Sequence, residues 1–249
     1  MPILGIDIGG SGIKGALVDI DTGELVAPRV RYPTPESAKP NDVAVLVAKL
    51  AAPLDYSGPI GCGFPSVVMN GVVMTAANID QDWIGLDAND LFAQVTNCST
   101  YVLNDADAAG MAEMKFGAGR DYQKGVVLLL TLGTGIGTAI FTDGQLLPNL
   151  EFGHLKIRGK DAEKRAADSV RQRKNLSWQE YAERLQEYLN EMERLFWPDL
   201  IVIGGGISKE SEKFLQYIKL RTKIVPAQLL NQAGIIGAAL YAYKKGSTS

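Results

Sequence analysis

Short apolar runs separated by glycine, proline and polar residues make up most of this chain, and their lengths are those of β-strands. The first run covers residues 2–6, ends in Asp7 and resumes at residues 15–19 after a glycine-rich turn. The same pattern of apolar strand, glycine turn and apolar strand recurs over residues 125–141. Because one pattern occurs twice, the sequence predicts a duplicated architecture whose halves hold a ligand from both sides.

The other predicted elements alternate between strands and helices, which is typical of an α/β fold. A capping box, in which Ser177 is followed three residues later by Glu180, marks the start of a long amphipathic helix. Asn41 is the expected N-cap of the first helix. The predicted strands cover residues 23–26, 60–64, 100–103 and 200–203, a short hairpin covers 67–74, the helices cover 42–50, 106–116, 177–196 and 232–244, and a loop with three prolines covers 32–40.

The first glycine turn has the composition of an anion-binding turn. Gly9, Gly10 and Gly12 lack a Cβ, so backbone N–H groups can approach a phosphate closely. Asp7 precedes the turn, and a carboxylate in this position can hold Mg²⁺, directly or through water. The spacing matches neither the P-loop nor the dinucleotide fingerprint, since a strand follows the turn instead of a helix. An ordinary glycine hairpin is the alternative interpretation.

Three further features have both a structural and a functional interpretation. Asp105 lies where a predicted central strand passes into a helix, the edge at which α/β proteins bind ligands, but an aspartate there also caps helices well. His154 is the only histidine, and a lone histidine is more often structural than a ligand. The glycines at residues 204–206 can admit a purine or phosphate, or can serve a tight strand-to-helix connection.

Composition and charge restrict the class of protein. The 249 residues are 46% hydrophobic and 21% charged, which is ordinary for a globular protein, and no apolar run approaches the ~20 residues that span a bilayer. Cys62 and Cys98 are too few for a disulfide framework or a cysteine-rich zinc site, so we expect a cytoplasmic protein without membrane contact. A net charge of −3 argues against general polyanion binding. However, residues 156–174 hold eight basic and three acidic side chains, either a solvated face or an anion-binding segment.

Four motifs together resemble the ROK sugar kinases. They are the hairpin at residues 7–14, the pair Asn104-Asp105, the turn at residues 132–137 and Glu151-Phe152-Gly153-His154, in the family's order. The resemblance implies the two-domain actin-like ATPase (ribonuclease H-like) sugar kinase fold, of class α/β. The cysteine-rich zinc motif of many members is missing, so no zinc site is expected. Further stretches resemble the subgroup of polyphosphate glucokinases and polyphosphate/ATP glucomannokinases, namely residues 147–151, 161–163, 176–178, 197–201, 220–222 and 224–235.

The resemblance also implies roles for individual residues. Asp105 is the expected general base toward the sugar 6-hydroxyl, with Asp7 positioning Mg²⁺. The expected sugar-binding residues are Asn78, Asn104, Asp105, Glu151, His154 and Glu163, with Gly63 lining the sugar pocket. The expected phosphate-binding residues are Asp7, Gly9, Gly10, Ser11, Gly12, Lys14, Thr131, Gly133, Thr134, Gly135 and Gly137. Gly204, Gly205 and Gly206 are expected to border the adenosine of a nucleotide donor, and Lys14 and residues 156–174 to line a polyphosphate path.

The expected activity is transfer of a phosphoryl group from inorganic polyphosphate, or also ATP, to glucose. The implied domains are residues 1–104 and 105–231, with the helix at residues 232–245 packing back on the first, the substrates binding in the cleft between them, and a homodimeric assembly. Two alternatives stay open. One is an ATP-dependent ROK hexokinase for glucose, mannose or an N-acetylhexosamine. The other is a non-catalytic ROK sugar-sensing protein, although a chain that starts at the first strand and is acidic is not expected to bind nucleic acid.

Overall fold

A computed structural model describes residues 2–54, 56–77 and 79–247. The chain forms two compact units, one of residues 1–112 and 232–249 and the other of residues 113–231. The division falls inside a helix, between Ala112 and Glu113. The domain boundary at residue 104 stays a prediction. No described helix has the length and apolarity that a membrane crossing requires.

The first unit is built on a five-stranded sheet in the order β3-β2-β1-β4-β7. β1 is antiparallel to β2 and parallel to β4, so the hairpin leads into the parallel half of the sheet. The elements are β1 (Pro2–Gly9), β2 (Gly12–Asp19), β3 (Val30–Tyr32), α1 (Pro40–Ala51), β4 (Ile60–Phe64), β5 (Val68–Met69), β6 (Val72–Val73), α2 (Ala88–Thr96), β7 (Thr100–Asn104) and α3 (Asp105–Phe116), with short 3-10 helices at Ala52–Leu54 and Gln81–Trp83.

The second unit repeats this strand order with a sheet β10-β9-β8-β13-β14. Again a hairpin, β8–β9, leads into parallel strands, so the predicted duplication of the architecture is confirmed. Its elements are β8 (Val126–Leu132), β9 (Ile136–Thr142), β10 (Gln145–Leu147), β11 (Lys156–Ile157), β12 (Lys160–Asp161), α4 (Glu163–Ala166), α5 (Asp168–Arg173), α6 (Trp178–Phe196), β13 (Leu200–Gly204), α7 (Glu212–Leu215) and β14 (Lys223–Pro226), with 3-10 helices at Phe152–His154, Gly206–Glu210 and Leu230–Gln232.

The last helix, α8 (Ala233–Gly246), completes the first unit. It packs so closely on β1 and β4 that a methyl group at Gly5 or Gly61 would overlap the backbone carbonyl of Ile235 or Ala238. On α8 itself, a methyl group at Gly237 would overlap the carbonyl of Ala108 in α3. Glycine is required at these three positions because backbone meets backbone there.

Two predicted elements are wrong in position. Residues 23–26 do not form a third strand, and only Leu25 makes an isolated bridge to Val18. The carboxylate of Asp19 accepts the N–H groups of Asp21 and Thr22, which makes this segment a turn, and the strand forms later as β3. Helix α1 starts after an N-cap at Lys39 instead of Asn41, since proline is well accommodated in the first turn of a helix.

The capping box at the start of α6 is confirmed. Ser177 N donates to Glu180 Oε2 at 2.8 Å, and Glu180 N donates to Ser177 Oγ at 3.3 Å. The buried face of α6 then packs into the core of the second unit, with Tyr181, Leu185 and Leu189 fully buried. Local capping and the apolar stripe therefore agree on where this helix starts and how it is oriented.

A buried carboxylate near the end of α3 escaped the sequence analysis. Glu113 is 1% exposed, and it accepts hydrogen bonds from the backbone N–H groups of Ala118 (2.9 Å), Gln228 (3.1 Å) and Leu229 (2.8 Å). Three backbone donors satisfy a charge that would otherwise be costly to bury. Glu113 thus fastens the segment after β14 to the end of α3.

Candidate active site

The first glycine turn joins β1 to β2 through Gly10 and Ser11, with Gly9 paired to Gly12. Side chains from outside the hairpin form hydrogen bonds with its backbone carbonyls. Thr34 Oγ1 donates to Gly9 O at 2.5 Å, and Arg31 donates to Ser11 O at 2.7 Å. A methyl group at Gly10 would meet nothing within 4 Å, so the fold itself does not require glycine there. The open space beside Gly10 is compatible with close approach of a phosphate to the backbone.

Asp7 and Lys14 are cross-strand partners in this hairpin, with Lys14 Nζ 3.1 Å from Asp7 Oδ2. Both side chains are partly buried. A methyl group at Gly234 would lie 3.0–3.3 Å from the Asp7 carboxyl group, so the first turn of α8 lies directly against this carboxylate. The hairpin therefore places one anionic and one cationic group beside the first glycine turn.

Asn104 is the last residue of β7 and caps α3. Its Oδ1 accepts from Ala106 N at 2.8 Å and Asp107 N at 3.1 Å, and its Nδ2 donates to Ser66 O at 3.2 Å. Helix capping was one of the two roles that the sequence allowed for Asp105. In the structure Asn104 makes most of the capping hydrogen bonds. Asp105 Oδ1 accepts the N–H of Ala106 at 2.8 Å, and the side chain is half-buried at the carboxyl end of the strand.

In the second unit, His154 lies among carboxylates. Its Nε2 is 3.8 Å from Glu151 Oε2, and its Nδ1 is 3.9 Å from Glu163 Oε1 and 4.0 Å from Asp161 Oδ2. Burial raises the pKa of Glu151 above its ordinary value and the charge of Glu163 raises it further, whereas His154 acts in the opposite direction. The structure therefore brings together the three predicted sugar residues of this unit, and adds Asp161.

The Glu-Phe-Gly-His segment is anchored on β9. Thr138 Oγ1 donates to Leu150 O at 2.5 Å and accepts from Phe152 N at 3.2 Å. A methyl group at Gly153 would overlap the carbonyl oxygen of Ile136, the first residue after the second glycine turn. Glycine is thus required at 153 because the segment rests on the strand that leaves that turn.

The second glycine turn, residues 133–135 between β8 and β9, is braced by α5. Ser169 N donates to Gly133 O at 3.0 Å, and Ser169 Oγ donates to Thr134 O at 2.6 Å. Gly205 lies close by, because a methyl group there would overlap backbone atoms of Leu132, and its φ of 81° also favours glycine. Ser169 is a positioning residue that no sequence motif indicated, since its contact depends on the folded chain.

The basic residues 156–174 are mostly neutralised within the second unit. Asp161 receives the ammonium groups of Lys156 and Lys164, and these hydrogen bonds lower the pKa of Asp161 to about 2. Glu187 on α6 pairs with Arg158 at 2.7 Å and with Arg165 at 2.6 Å. Arg171 pairs with Asp168 at 2.7 Å and lies 4.2 Å from the centre of the Trp178 ring.

Three basic side chains of this segment are exposed and make no ion pair with any residue that the structure describes: Lys160, Arg173 and Lys174. The other five pair with carboxylates of the second unit. Among the predicted site residues, Asn78 lies outside the described residues. Gly63 lies at the carboxyl end of β4, where a methyl group would be 3.7 Å from Asp105 Cα.

Comparison with known proteins shows the family of this chain. The sequence profile described as the ROK family matches residues 3–166. The polyphosphate glucokinase of Mycobacterium tuberculosis strain H37Rv is 47% identical over 237 residues, which are 95% of this chain and 89% of that protein. This chain belongs to the ROK family.

Solved ROK structures share the fold. The inorganic polyphosphate/ATP-glucomannokinase of Arthrobacter sp. strain KM superposes with a TM-score of 0.95 at 47% identity, covering 98% of this chain and 99% of that one. The ROK glucokinase of Streptomyces griseus gives a TM-score of 0.84 at 23% identity, over 98% of this chain and all of that one. The predicted family and the actin-like ATPase fold of class α/β are therefore confirmed.

Proposed function

We propose that this chain is a polyphosphate-dependent glucokinase, which transfers the terminal phosphoryl group of inorganic polyphosphate to the 6-hydroxyl of glucose. The observation that carries the proposal is 47% identity to a polyphosphate glucokinase along 95% of the chain. The Arthrobacter relative is named for both polyphosphate and ATP and for both glucose and mannose, so we extend the proposal to ATP as a second donor.

Asp105 is the proposed general base. It lies at the first position of α3, where backbone N–H groups favour a negatively charged side chain. As the sugar O6 attacks the terminal phosphorus, its proton passes to the Asp105 carboxylate. The bond between that phosphorus and the bridging oxygen breaks, and the shortened polyphosphate or ADP leaves with the electron pair. Phosphoryl transfer of this kind depends chiefly on positioning and charge stabilisation.

Glu151, His154 and Glu163 are the proposed partners of the sugar hydroxyls in the second unit, together with Asn104 in the first. A sugar offers only hydroxyl groups for recognition, so discrimination needs several paired polar groups that are unsatisfied without it. The anchoring of Glu151 and His154 on β9 keeps these groups in fixed positions.

The two glycine turns are the proposed phosphate-binding segments, with Lys14 as a cation beside the first. Asp7 fits a role in holding Mg²⁺, because its carboxylate is a hard oxygen ligand beside a turn open to phosphate, and Mg²⁺ commonly uses one or two carboxylates together with phosphates. When bound, Mg²⁺ would neutralise phosphate charge. Gly206, where a methyl group would meet nothing, fits a surface open to a nucleotide.

The proposed polyphosphate-binding side chains are Lys160, Arg173 and Lys174. Unlike the five paired residues of the basic segment, they hold charge that the described fold does not neutralise. Polyphosphate carries one negative charge or more per phosphate, so exposed cations attract it in a salt-dependent way. The homodimer and the cytoplasmic location stay predictions.

A donor comparison tests the proposed function. With glucose and Mg²⁺ in a coupled glucose 6-phosphate assay, we expect turnover with purified polyphosphate and also with ATP. A variant with Arg173→Ala and Lys174→Ala should raise the KM for polyphosphate several-fold and leave that for ATP little changed. Arg194→Ala, an exposed residue of α6, is the control. Turnover with ATP alone would contradict the polyphosphate assignment, and mannose as acceptor tests the breadth of the sugar site.

The pKa of Glu151 makes glucose binding pH-dependent. The ionised carboxylate accepts hydrogen bonds from sugar hydroxyls, so the KM for glucose should increase when acidification protonates Glu151. Because the pKa of Glu151 is raised, this increase should begin at a higher pH than for an ordinary glutamate, whose pKa is ~4.3. Glu151→Gln should have a higher KM that changes less with pH. Since a raised pKa means that the ionised group disfavours the folded state above that pKa, Glu151→Gln should unfold at an equal or higher temperature at pH 7. A wild-type KM that stays constant down to pH 4.5 would contradict the assignment.

A further inference from the structure

Ser66 carries a buried hydroxyl group that the fold does not use. The residue follows Pro65 at the carboxyl end of β4 and is 4% exposed. No donor or acceptor among the described residues forms a hydrogen bond with its Oγ. Such a group is uncommon in folded proteins, and an unmade hydrogen bond at a buried hydroxyl disfavours the folded state.

The backbone of Ser66, in contrast, is fully engaged. Its N–H donates to Phe64 O at 2.8 Å, and its carbonyl accepts from Asn104 Nδ2 at 3.2 Å. The position of the residue is therefore set by the backbone, and the hydroxyl contributes nothing to holding the turn. An unpartnered hydroxyl on a fixed backbone is suited to a ligand.

Ser66 is a neighbour of Asn104, one of the sugar residues proposed above. β4 and β7 are parallel, with Phe64 opposite Asn104, so both strands end at the same edge of the sheet. Ser66 leaves that edge beside Asn104, and Asp105 is the next residue along the chain. The amide of Asn104 links the two segments directly through the Ser66 carbonyl, so Ser66 lies next to the residue that precedes the proposed base.

We propose that Ser66 is a further sugar-binding residue, whose Oγ forms a hydrogen bond with a hydroxyl group of the bound hexose. This assignment rests on the proposed function and extends it. A serine hydroxyl can both donate and accept, so it can pair with a sugar hydroxyl in either sense. Binding of the hexose then supplies the partner that the hydroxyl lacks, and the site discriminates against sugars without a hydroxyl at that carbon.

The test is Ser66→Ala, with glucose affinity measured by calorimetry and apo stability by thermal unfolding. We expect the glucose Kd and KM to rise about tenfold with a smaller change in kcat, and the apo melting temperature to stay equal or increase, since the lost hydroxyl had no partner. Thr100→Val is the matched control. Its buried Oγ1 donates to Cys98 O at 3.2 Å, so its loss should lower the melting temperature and leave the glucose Kd unchanged.

A series of deoxyglucoses identifies the partner hydroxyl. For the one analogue that lacks it, Ser66→Ala and the wild type should bind equally well, whereas the other analogues should keep the tenfold difference. If the wild type binds glucose normally and Ser66→Ala has an unchanged glucose Kd, the assignment of Ser66 would be overturned and the proposed function would stand. A lower apo melting temperature with an unchanged Kd would assign the hydroxyl a structural role and overturn it too. A wild-type protein that binds no hexose would overturn the proposed function itself.

Discussion

Asp105→Asn is expected to lower kcat by about 10²–10⁴-fold, because general-base catalysis by a positioned carboxylate contributes about that much. The amide that replaces the carboxylate can still accept the N–H of Ala106, the hydrogen bond that Asp105 Oδ1 makes at 2.8 Å. Asn104 continues to cap α3 through Ala106 and Asp107, so the helix should start where it does now. The substitution thus removes the proton acceptor and keeps the local structure.

The measurement is kcat with saturating glucose and polyphosphate, together with the glucose Kd by calorimetry. We expect the glucose Kd to change only a few-fold, since asparagine keeps a hydrogen-bond-accepting oxygen, Oδ1, at the same place as in aspartate. Asp121→Asn, an exposed substitution of the same kind, should leave both values unchanged. A turnover within tenfold of the wild type would contradict the role of Asp105 as the base, and a glucose Kd raised 100-fold would indicate a binding role instead.

Gly237→Ala should destabilise the first unit by about 3 kcal/mol, a large effect for the addition of one methyl group. The new Cβ would overlap the carbonyl oxygen of Ala108, a backbone atom of α3, and neither helix backbone can give way locally. Asp105 lies one helical turn before Ala108 in α3, so a shift of α3 away from α8 would also displace Asp105. We therefore expect both a lower unfolding temperature, by about 6–12 °C, and reduced turnover in the fraction that folds.

Gly246→Ala in the same helix is the control. There the added methyl group would lie 3.6 Å from Pro59, an ordinary contact, and alanine favours a helix more than glycine does. Its unfolding temperature should be unchanged or slightly higher. Equal unfolding temperatures for the two variants would show that α8 can move away from α3 at little cost, which would contradict the close packing of the two backbones.

The sequence predicts the strands of both hairpins, the parallel strands β4, β7 and β13, both glycine turns and the start of α6, because each depends on a local pattern. Strand β14 and helix α2 were not predicted. The missed β3 shows the limit, since Val30–Tyr32 pairs with Ile13–Gly15 only after a turn whose shape Asp19 determines. Lys39 as N-cap was missed because proline was expected in the loop, although it is favoured in the first turn.

The candidate site was predicted through a family resemblance, and its residues in the two units form the clusters described above. What the sequence could not provide is the environment of each group. The pairing of Arg158 and Arg165 with Glu187 joins residues that are more than 20 positions apart in the chain. It distinguishes the paired basic side chains of the segment from those that make no ion pair with a described residue. The contacts of Ser169 and the unpartnered hydroxyl of Ser66 likewise exist only in the folded chain.

The position of α8 in the first unit has a consequence for synthesis on the ribosome. β1, β4 and β7 are made early, but the helix that covers them is made only after the whole second unit, about 120 residues later, which takes about 6–24 s at ~5–20 residues per second. The second unit is continuous in sequence and can build its core as it emerges. The nascent first unit meanwhile exposes the apolar face of its sheet, so it is the part of the chain expected to need chaperone protection until α8 has been synthesised.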